Sequence, residues 1–597
     1  MTTNGSNAGN VNQPKTQPKG GSGRPNTKKK GRSKPDWAAQ IADRVVRRAE
    51  RDGFEPTADH PLVCASGISP SGPIHLGNMR ELMVPHFVVE ELRSRGIPSQ
   101  HILSWDDYDR LRKVPAGISD DFAIHVGKPL TAVPDPHGEL ESWAERFKSE
   151  LRPTLAQLGM DIREISQTEM YGAGRYQKQI IEAIEQRKLI DSILGRYRTL
   201  EEGETTEEAG DGVQVLTTDG LDETDDSAAG DYWPYRVYCH SCDRDTTTMT
   251  SVEPGDESYW VNYSCDCGHS GRFDLMLENR GKLVWKVDWP MRWAYESVIF
   301  EAAGADHSSP GSSFTVGSDL VTQVYNGRAP EYMAYSFVGT RGTGKMSSSS
   351  GAVPTPADAL KVLEAPILRW MYVRKSPRQG ITIDMGSGIH ALYDEWDQIQ
   401  RKIAGGSVGG SQLQAVERAR QTSVRASFDT AKTVVPFRTL ASASAVAAGD
   451  RTQMARIVAA LTDVAADDIA SAEPRLTKAD YWMKHVAPRE ERIEVRTTPD
   501  VELLQNLTAQ QTTWLELLVA GLDDEWSLDG LRTLVYGVPK AEAGLTADAP
   551  PTDELKAHQR EFFKLLYRLL LSVETGPRVP TLLMAIGRER LLKLLTV

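Results

Sequence analysis

The sequence predicts an α/β chain: a nucleotide-binding domain on a parallel sheet, interrupted by a small cysteine-bearing insertion and followed by an all-α half. Three observations carry this expectation. The apolar run Pro61-Leu-Val-Cys-Ala-Ser-Gly67 leads into a Ser/Pro/Gly turn and then Met79-Arg-Glu-Leu-Met-Val, a strand, a turn and a helix start in succession. Four of the five cysteines (Cys239, Cys242, Cys265 and Cys267) lie close together. Beyond about residue 355 apolar residues recur at helical spacing, and no strand is expected.

A chain of 597 residues is too long for one core, so three or four domains are expected. Apolar content of 40% and charged content of 25% describe a soluble globular protein. No apolar run approaches the ~20 residues that cross a bilayer, and the N-terminus is polar rather than signal-like. A cytoplasmic protein without a membrane partner is expected. The net charge of −13 is unevenly spread: residues 1–35 are basic without an acid, whereas 201–231 is strongly acidic. RNA needs only a local basic face, so the total leaves RNA binding open. Clustered cysteines in such a protein point to metal rather than disulfides.

Residues 1–35 hold almost no large apolar side chain and read as a disordered basic tail. A helix begins at Trp37 with Asp36 as N-cap. The strand at 61–67, a helix at 79–95 stopped by Gly96 and Pro98, and a strand Gln100–Trp105 form a βαβ unit of Rossmann type. Its ligand belongs at the carboxyl edge, where Gly67, His75 and Asp106 fall. Pro70, Ser71 and Gly72 form the turn, and the helix start offers free N–H groups and a favourable dipole to an anion. His75 and Asn78 supply donors, and Gly77 lets a nucleotide approach the backbone. Asp106, Asp107 and Asp109 read either as helix-start caps or as partners of a cationic substrate group. Amphipathic helices are expected at Leu140–Leu158 and Tyr176–Leu189 with a short strand Arg163–Ile165 between them.

Residues 201–231 read as a flexible insertion. Next come a C-x2-C knuckle, Cys239 and Cys242, and a tighter C-x-C pair, Cys265 and Cys267. Four thiolates make a closed structural Zn²⁺ site in residues 232–275, with His269 an alternative to Cys267. Cys64 is expected to be a buried small side chain. Then follow a strand Lys282–Trp289, a helix Ala294–Ala302, a strand Ser313–Gly317, a helix Asp319–Tyr325 and a last strand Pro330–Gly339. Trp285, Trp289 and Trp293 beside carboxylates suit an ammonium group by ion pairing and cation–π contact. Arg292 keeps a carboxylate-binding pocket open as the rival. The glycines of 339–344 are hinges for a loop whose single lysine, Lys345, can close over polyphosphate. Helices are expected at Leu360–Val373, Ile389–Ile403, Leu413–Val424, Met454–Leu461, Val501–Leu522, Leu528–Tyr536 and Glu554–Val573, with Leu565, Leu566, Leu569 and Leu570 in the core.

Ser69-Pro-Ser-Gly-Pro-Ile-His-Leu-Gly-Asn78 and Gly344-Lys-Met-Ser-Ser-Ser349, in this order, resemble the "HIGH" and "KMSKS" signatures of class I aminoacyl-tRNA synthetases. Ser348 stands where the second signature has its second lysine, so phosphate neutralisation should lean on Lys345. Within the class, the chain resembles the lysyl enzymes through Ser104–Pro115, Val287–Trp293 and Glu301–His307, over residues 36–597. The resemblance implies a catalytic domain over 36–354 with an acceptor-end insertion at 135–200. A stem-contact and anticodon-binding helix cage would follow at 355–597. It implies an ATP-dependent, AMP-forming lysine–tRNA ligase with tRNA(Lys), L-lysine and ATP as partners, Mg²⁺ on the nucleotide, and a monomer. Transfer would go to the 2′-OH, and tRNA would bind before activation. Carried over by position, His75, Gly77, Asn78 and Lys345 are catalytic. Pro70, Ser71, Gly72, Met346, Ser347, Ser348 and Ser349 join them around ATP. Gly67, Ser69 (often Thr in relatives), Asp106, Trp285, His307 and Tyr332 surround lysine. Some relatives carry a second zinc near 135–146, but Glu139, Leu140 and Arg146 stand at its ligand positions, so none is expected here. A glutamate-activating enzyme and a catalytically idle tRNA-binding paralogue are the alternatives.

Overall fold

The computed structural model describes residues 34–596 except 116, 204–231, 309–311, 341–343, 346–353, 428–433, 448–450, 463, 489–491, 493–494, 524–525 and 551. The basic tail up to residue 33, most of the acidic segment and Met346–Ser349 therefore lie outside the described residues.

In chain order, α1 (Trp37–Asp52), β1 (Leu62–Ile68), α2 (Met79–Ser94) and β2 (Ser99–Trp105) open the fold. Asp36 caps α1 by accepting the Ala39 N–H at 2.9 Å, and a left-handed Gly96 follows α2. Next come α3 (Trp143–Gln157), β3 (Arg163–Ser166), α4 (Gln167–Gly172), α5 (Gln177–Glu185) and α6 (Arg187–Gly203). The insertion consists of β4 (Tyr235–Val237), β5 (Thr247–Pro254), β6 (Tyr259–Cys265), β7 (Ser270–Asp274) and β8 (Gly281–Leu283). Then α7 (Trp285–Tyr295), β9 (Val298–Gly304), α8 (Ser313–Gln323), β10 (Glu331–Tyr335), β11 (Val338–Thr340) and β12 (Gly344–Lys345) follow. After them, α9 (Pro356–Val362), α10 (Ala365–Val373) and β13 (Ile381–Ile383) lead into the helical half.

The central sheet has the order β10-β9-β1-β2-β3, and every pairing in it is parallel. Register aligns Tyr332 with Glu301, Glu301 with Ala65 and Ala65 with Ile102. The central strands β1 and β9 are buried nearly throughout, as strands covered by helices on both faces are. Cys64 is fully buried. Helix α1 packs on one face of the sheet over β1, β9 and β10, and its Arg44 and Arg48 donate to the carbonyls of Tyr332 and Ala329 at 3.3 and 3.0 Å.

Several expectations between residues 282 and 340 are corrected. Lys282–Trp289 is not a strand of the central sheet: only Gly281–Leu283 is extended, and it pairs with β4. From Trp285 the chain is the helix α7, so the three tryptophans, four residues apart, share one helix face. Residues 298–304 form a central strand, not the expected helix, because Val298-Ile-Phe-Glu-Ala-Ala-Gly is a buried run of strand length. Ser313–Gly317 opens α8 instead of forming a strand; a Cβ on Gly317 would meet the Trp293 ring at 3.0 Å, so glycine permits the close α7–α8 contact. The expected last strand is two strands, β10 in the central sheet and β11 in a second small sheet with β12 and β13. That β13 strand is also an exception to the all-α expectation beyond 355.

The helical half includes Gly388–Ala404, Ser411–Arg420 and Asp553–Leu571 near their expected places, and Phe437–Ala447, Arg475–His485, Val579–Ile586 and Arg588–Leu595, which were not expected. Leu565, Leu566, Leu569 and Leu570 are buried. One cluster of buried side chains runs from Leu76, Leu103 and Trp105 through Leu368 and Trp396 to Leu570 and Leu594. Buried arginines tie the halves. Arg369, fully enclosed, grips Glu90 of α2 with Nη2 at 2.6 and 2.7 Å and donates to the carbonyls of Leu158 and Arg418. Arg418 in turn holds Asp36 at 2.7 Å.

His101 lies fully buried between sheet and helix, its Nε2 2.9 Å from Ser66 Oγ and its ring beside His86. Burial holds its pKa well below the usual histidine value, with the neighbouring His86 adding to this. The folded state therefore binds fewer protons than the unfolded chain below about pH 6.5. Stability is complete above that pH and is lost as pH falls, at up to about 1.4 kcal/mol per pH unit. Urea unfolding at pH 7.5 and 5.5 should show a loss for the wild type that is smaller in His101→Gln.

Candidate active site

The carboxyl edge of β1, β2, β9 and β10 gathers most of the expected site residues. Strand β1 ends at Gly67 and Ile68, and the Ile68 carbonyl accepts from the Asp106 N–H at 2.9 Å, joining the two strand ends. The turn that follows is closed locally: Asn78 Oδ1 accepts from the His75 N–H at 3.0 Å, and Asn78 N–H donates to the His75 carbonyl at 3.0 Å. Leu76, between His75 and Gly77, is clamped on both sides. Its N–H donates to the Pro354 carbonyl at 3.1 Å, and its carbonyl accepts from Tyr372 Oη at 2.6 Å. The His75 side chain is buried, while Ser69, Gly77 and Asn78 are partly open. Pro70 and Gly72 are buried and Ser71 is exposed.

The lysine-bearing segment is described only at its ends. Gly344 and Lys345 pair by backbone with Thr340 and Gly339, and the chain reappears at Pro354, bonded to Leu76. Both ends of that segment are thus anchored to this part of the molecule, the second directly on the His75 turn.

Each of the acids after β2 is an anchor, and Asp107 also accepts from an N–H in the first turn of α4. Asp106 accepts from Arg292 Nη1 at 2.7 Å. Asp107 pairs with Lys148 of α3 and accepts from Ser166 Oγ and Thr168 N–H at 2.7 and 2.8 Å. Asp109 pairs with Lys282. Asp106, expected to meet the substrate, is therefore already committed to an arginine. On α7, Asp288 accepts from Arg292 Nη2 at 2.7 Å and Tyr171 Oη at 2.5 Å. Burial alone would lower the Arg292 pKa, but Asp288 and Asp106 outweigh it and hold the guanidinium charged.

Two carboxyls that the sequence did not single out complete the site. Glu81, in the first turn of α2, accepts from Tyr335 Oη and, at 3.4 Å, from Gly67 N–H. Burial pushes its pKa up to about 8. Glu301 on β9 accepts from the indole N–H groups of Trp289 and Trp293 at 3.1 and 2.5 Å, and burial pushes its pKa up to about 7. An acid in a first helical turn ordinarily answers the helix dipole, so nothing in sequence marks Glu81; Glu301 was hidden by the helix reading of its strand. Trp285, His307 and Tyr332 are partly open around them. Trp285 stacks on Trp289 at 5.3 Å, His307 meets Trp289 edge-on at 5.8 Å, and Tyr332 stacks on Phe314 at 3.8 Å.

In the insertion, the Sγ atoms of Cys239, Cys242, Cys265 and Cys267 lie within 4.8 Å of one another. The Cys239–Cys267 and Cys242–Cys265 separations are 3.7 and 3.8 Å. Tetrahedral bonds of about 2.3 Å to one zinc ion place sulfurs about 3.8 Å apart, so the donor set fits. The fourth donor of this group is the Cys267 thiol, and the His269 side chain is not among the grouped donors. At 135–146, Arg146 grips Asp135 with Nε at 2.9 Å and Nη2 at 2.7 Å, and also reaches Glu139.

A Rossmann-type parallel sheet, a signature turn at its carboxyl edge and a lysine loop returning to that turn define a class I tRNA synthetase. The profile of the family described as tRNA synthetases class I (K) matches residues 35–427, and the chain belongs to this family. It is 46% identical to a lysine–tRNA ligase of Streptomyces coelicolor, covering 94% of this chain and 98% of that one. It is 32% identical to a lysine–tRNA ligase of Pyrococcus horikoshii over 93% and 98% of the two chains. A solved glutamate tRNA ligase from Elizabethkingia meningosepticum aligns over 89% and 98% of the chains at 12% identity, with a TM-score of 0.39.

The cysteine cluster makes a direct prediction. Protein purified in zinc-containing medium should carry about one Zn²⁺ per chain, measured by elemental analysis. Cys267→Ser should lose it, and His269→Ala should retain it.

Proposed function

We propose that this protein is the lysine–tRNA ligase its family membership indicates, activating L-lysine with ATP and transferring it to the terminal adenosine of tRNA(Lys). The observation that carries the amino-acid assignment is the charge of the pocket. Glu81 and Glu301 are held by neutral donors, whereas the nearby Arg292 has its charge paired with Asp106 and Asp288. A dry site with carboxyl groups poised near neutrality takes up an ammonium, which pulls them into the ionised form. A glutamate pocket would need an arginine with free donors aimed at a carboxylate.

In this reading Glu81, backed by Tyr335, receives the ε-ammonium. Trp285, His307 and Tyr332 wall the alkyl chain, and Gly67 and Ser69 face the α-carbon end. Asp106 acts through Arg292 rather than by touching substrate. The lysine carboxylate attacks the α-phosphorus of ATP, forming lysyl-adenylate as the bond to pyrophosphate breaks. His75, Gly77 and Asn78 position the α-phosphate with the N–H groups of the turn. Pro70, Ser71 and Gly72 border the nucleotide. Lys345 would neutralise charge on the departing pyrophosphate and the hydroxyls of serines 347–349 would hydrogen-bond it, while the Mg²⁺ that ATP brings would supply further positive charge. Catalysis is positioning and electrostatics without a protein nucleophile. A ribose hydroxyl of tRNA then attacks the adenylate carbonyl and AMP leaves. The four thiolates would hold Zn²⁺ as a structural ion, and a cytoplasmic monomer follows from the same reading.

Purified protein with tRNA should consume ATP with lysine and not with glutamate; the reverse preference sinks the assignment. Lys345→Ala should abolish most activation while tRNA binding, followed by filter retention, stays nearly unchanged. Below the Glu81 pKa of about 8, ammonium binding must expel a proton. The KM for lysine should therefore fall as pH rises toward 8, by up to about tenfold per unit, and Glu81→Gln should raise it and flatten the profile.

A further inference from the structure

The insertion and the amino-acid pocket are joined by an uninterrupted series of charge contacts that the reaction does not itself use. Strand β8, which closes the insertion by pairing with β4, carries Lys282. This lysine is buried, and its Nζ bridges Asp109, after β2, and Asp288, on α7, the latter at 3.3 Å. Asp288 holds Arg292, and Arg292 holds Asp106 and, at 2.8 Å, Ser104 Oγ. In the other direction Arg110, next to Asp109, pairs at 3.1 Å with Asp245, three residues after Cys242. Tyr238, next to Cys239, donates its Oη to the Tyr108 carbonyl at 2.6 Å, and its N–H goes to the Arg280 carbonyl. The cysteine knuckle thus grips both the segment after β2 and the strand that bears Lys282.

We propose that Lys282 is a positioning residue of the amino-acid site. It acts through Asp288 and Arg292, and couples the geometry of the cysteine knuckle to the lysine pocket. The inference rests on the ligase reading above. With Lys282 in place, three acids and two bases alternate along the series: Asp109, Lys282, Asp288, Arg292, Asp106. Removing one member of a buried ion pair leaves its partner's charge uncompensated, and the surroundings rearrange to relieve it. Without the ammonium, Asp288 and Asp109 repel, Arg292 is drawn from Asp106, and the wall carrying Trp285 and Trp289 shifts. The turn around His75 has its own anchors in Pro354 and Tyr372, which are not members of this series.

The test is a KM comparison on the full-length protein with tRNA present. Lys282→Met should raise the KM for lysine at least tenfold and change that for ATP by less than twofold. Lys282→Met combined with Asp109→Asn restores the charge count and should recover most of the lysine KM, a non-additivity expected only of coupled residues. Parallel rises in both KM values, an unchanged lysine KM, or a double variant no better than the single one would each overturn the proposal. If Lys282→Met does not fold by circular dichroism, Asp245→Asn takes its place at the knuckle end. It should retain bound zinc by elemental analysis yet raise the lysine KM about threefold; an unchanged lysine KM overturns the proposal. Failure of the wild type to use lysine at all would strike the ligase reading instead, so the two failures are distinguishable.

Discussion

The structure depends on keeping charge dry at the carboxyl edge of one sheet. Arg292 is the pivot, a guanidinium enclosed by protein and shared between Asp106 and Asp288. Ion pairs so placed contribute little net stability, because desolvation cancels most of their attraction. What they supply is geometry, since each has one arrangement that satisfies all partners. The acids after β2 show the pattern: three neighbouring carboxylates reach α7, α3 and β8, so one short segment sets the distances among a strand end, two helices and the insertion.

The same economy governs how the two halves meet. Arginines that are polar in sequence lie within the joint and bond backbone carbonyls there, as Arg369 does with Leu158 and Arg418. Arg80 of α2 likewise reaches the carbonyls of Ser376 and Pro377 at 2.9 and 2.6 Å. Because Leu76 is bonded to Pro354 and Tyr372, the His75 turn is shaped as much by the start of the helical half as by its own strand. Movement of that half is therefore felt at the carboxyl edge of the central sheet.

Much of this was legible in the sequence, and the rest failed for identifiable reasons. The first βαβ unit, the Asp36 cap and the four-cysteine set could be read because each is a local pattern with a single physical meaning. Residues 282–304 could not be read by composition, since Val and Trp favour strands, while the spacing of Trp285, Trp289 and Trp293 speaks for a helix. Over 285–295 the period was the better guide, whereas over 298–304 the strand-favouring Val-Ile-Phe run was. Ion-pair partners separated by 186 residues, as Arg292 and Asp106 are, leave no trace in spacing. For that reason Asp106 looked available to substrate, and Glu81, resembling an ordinary first-turn acid, passed unnoticed.

The arginines of α1 have a consequence for solubility. A parallel sheet left open at β10 would offer a row of carbonyls as a template for another chain. The guanidinium of Arg44 occupies one of those acceptors, at Tyr332, and that of Arg48 takes the Ala329 carbonyl two residues before the strand. The shield is held shut from afar, because the residue capping α1, Asp36, is gripped by Arg418 of the helical half. A lesion in the helical half that breaks the Asp36–Arg418 contact can thus loosen α1 and seed aggregation at the far side of the sheet.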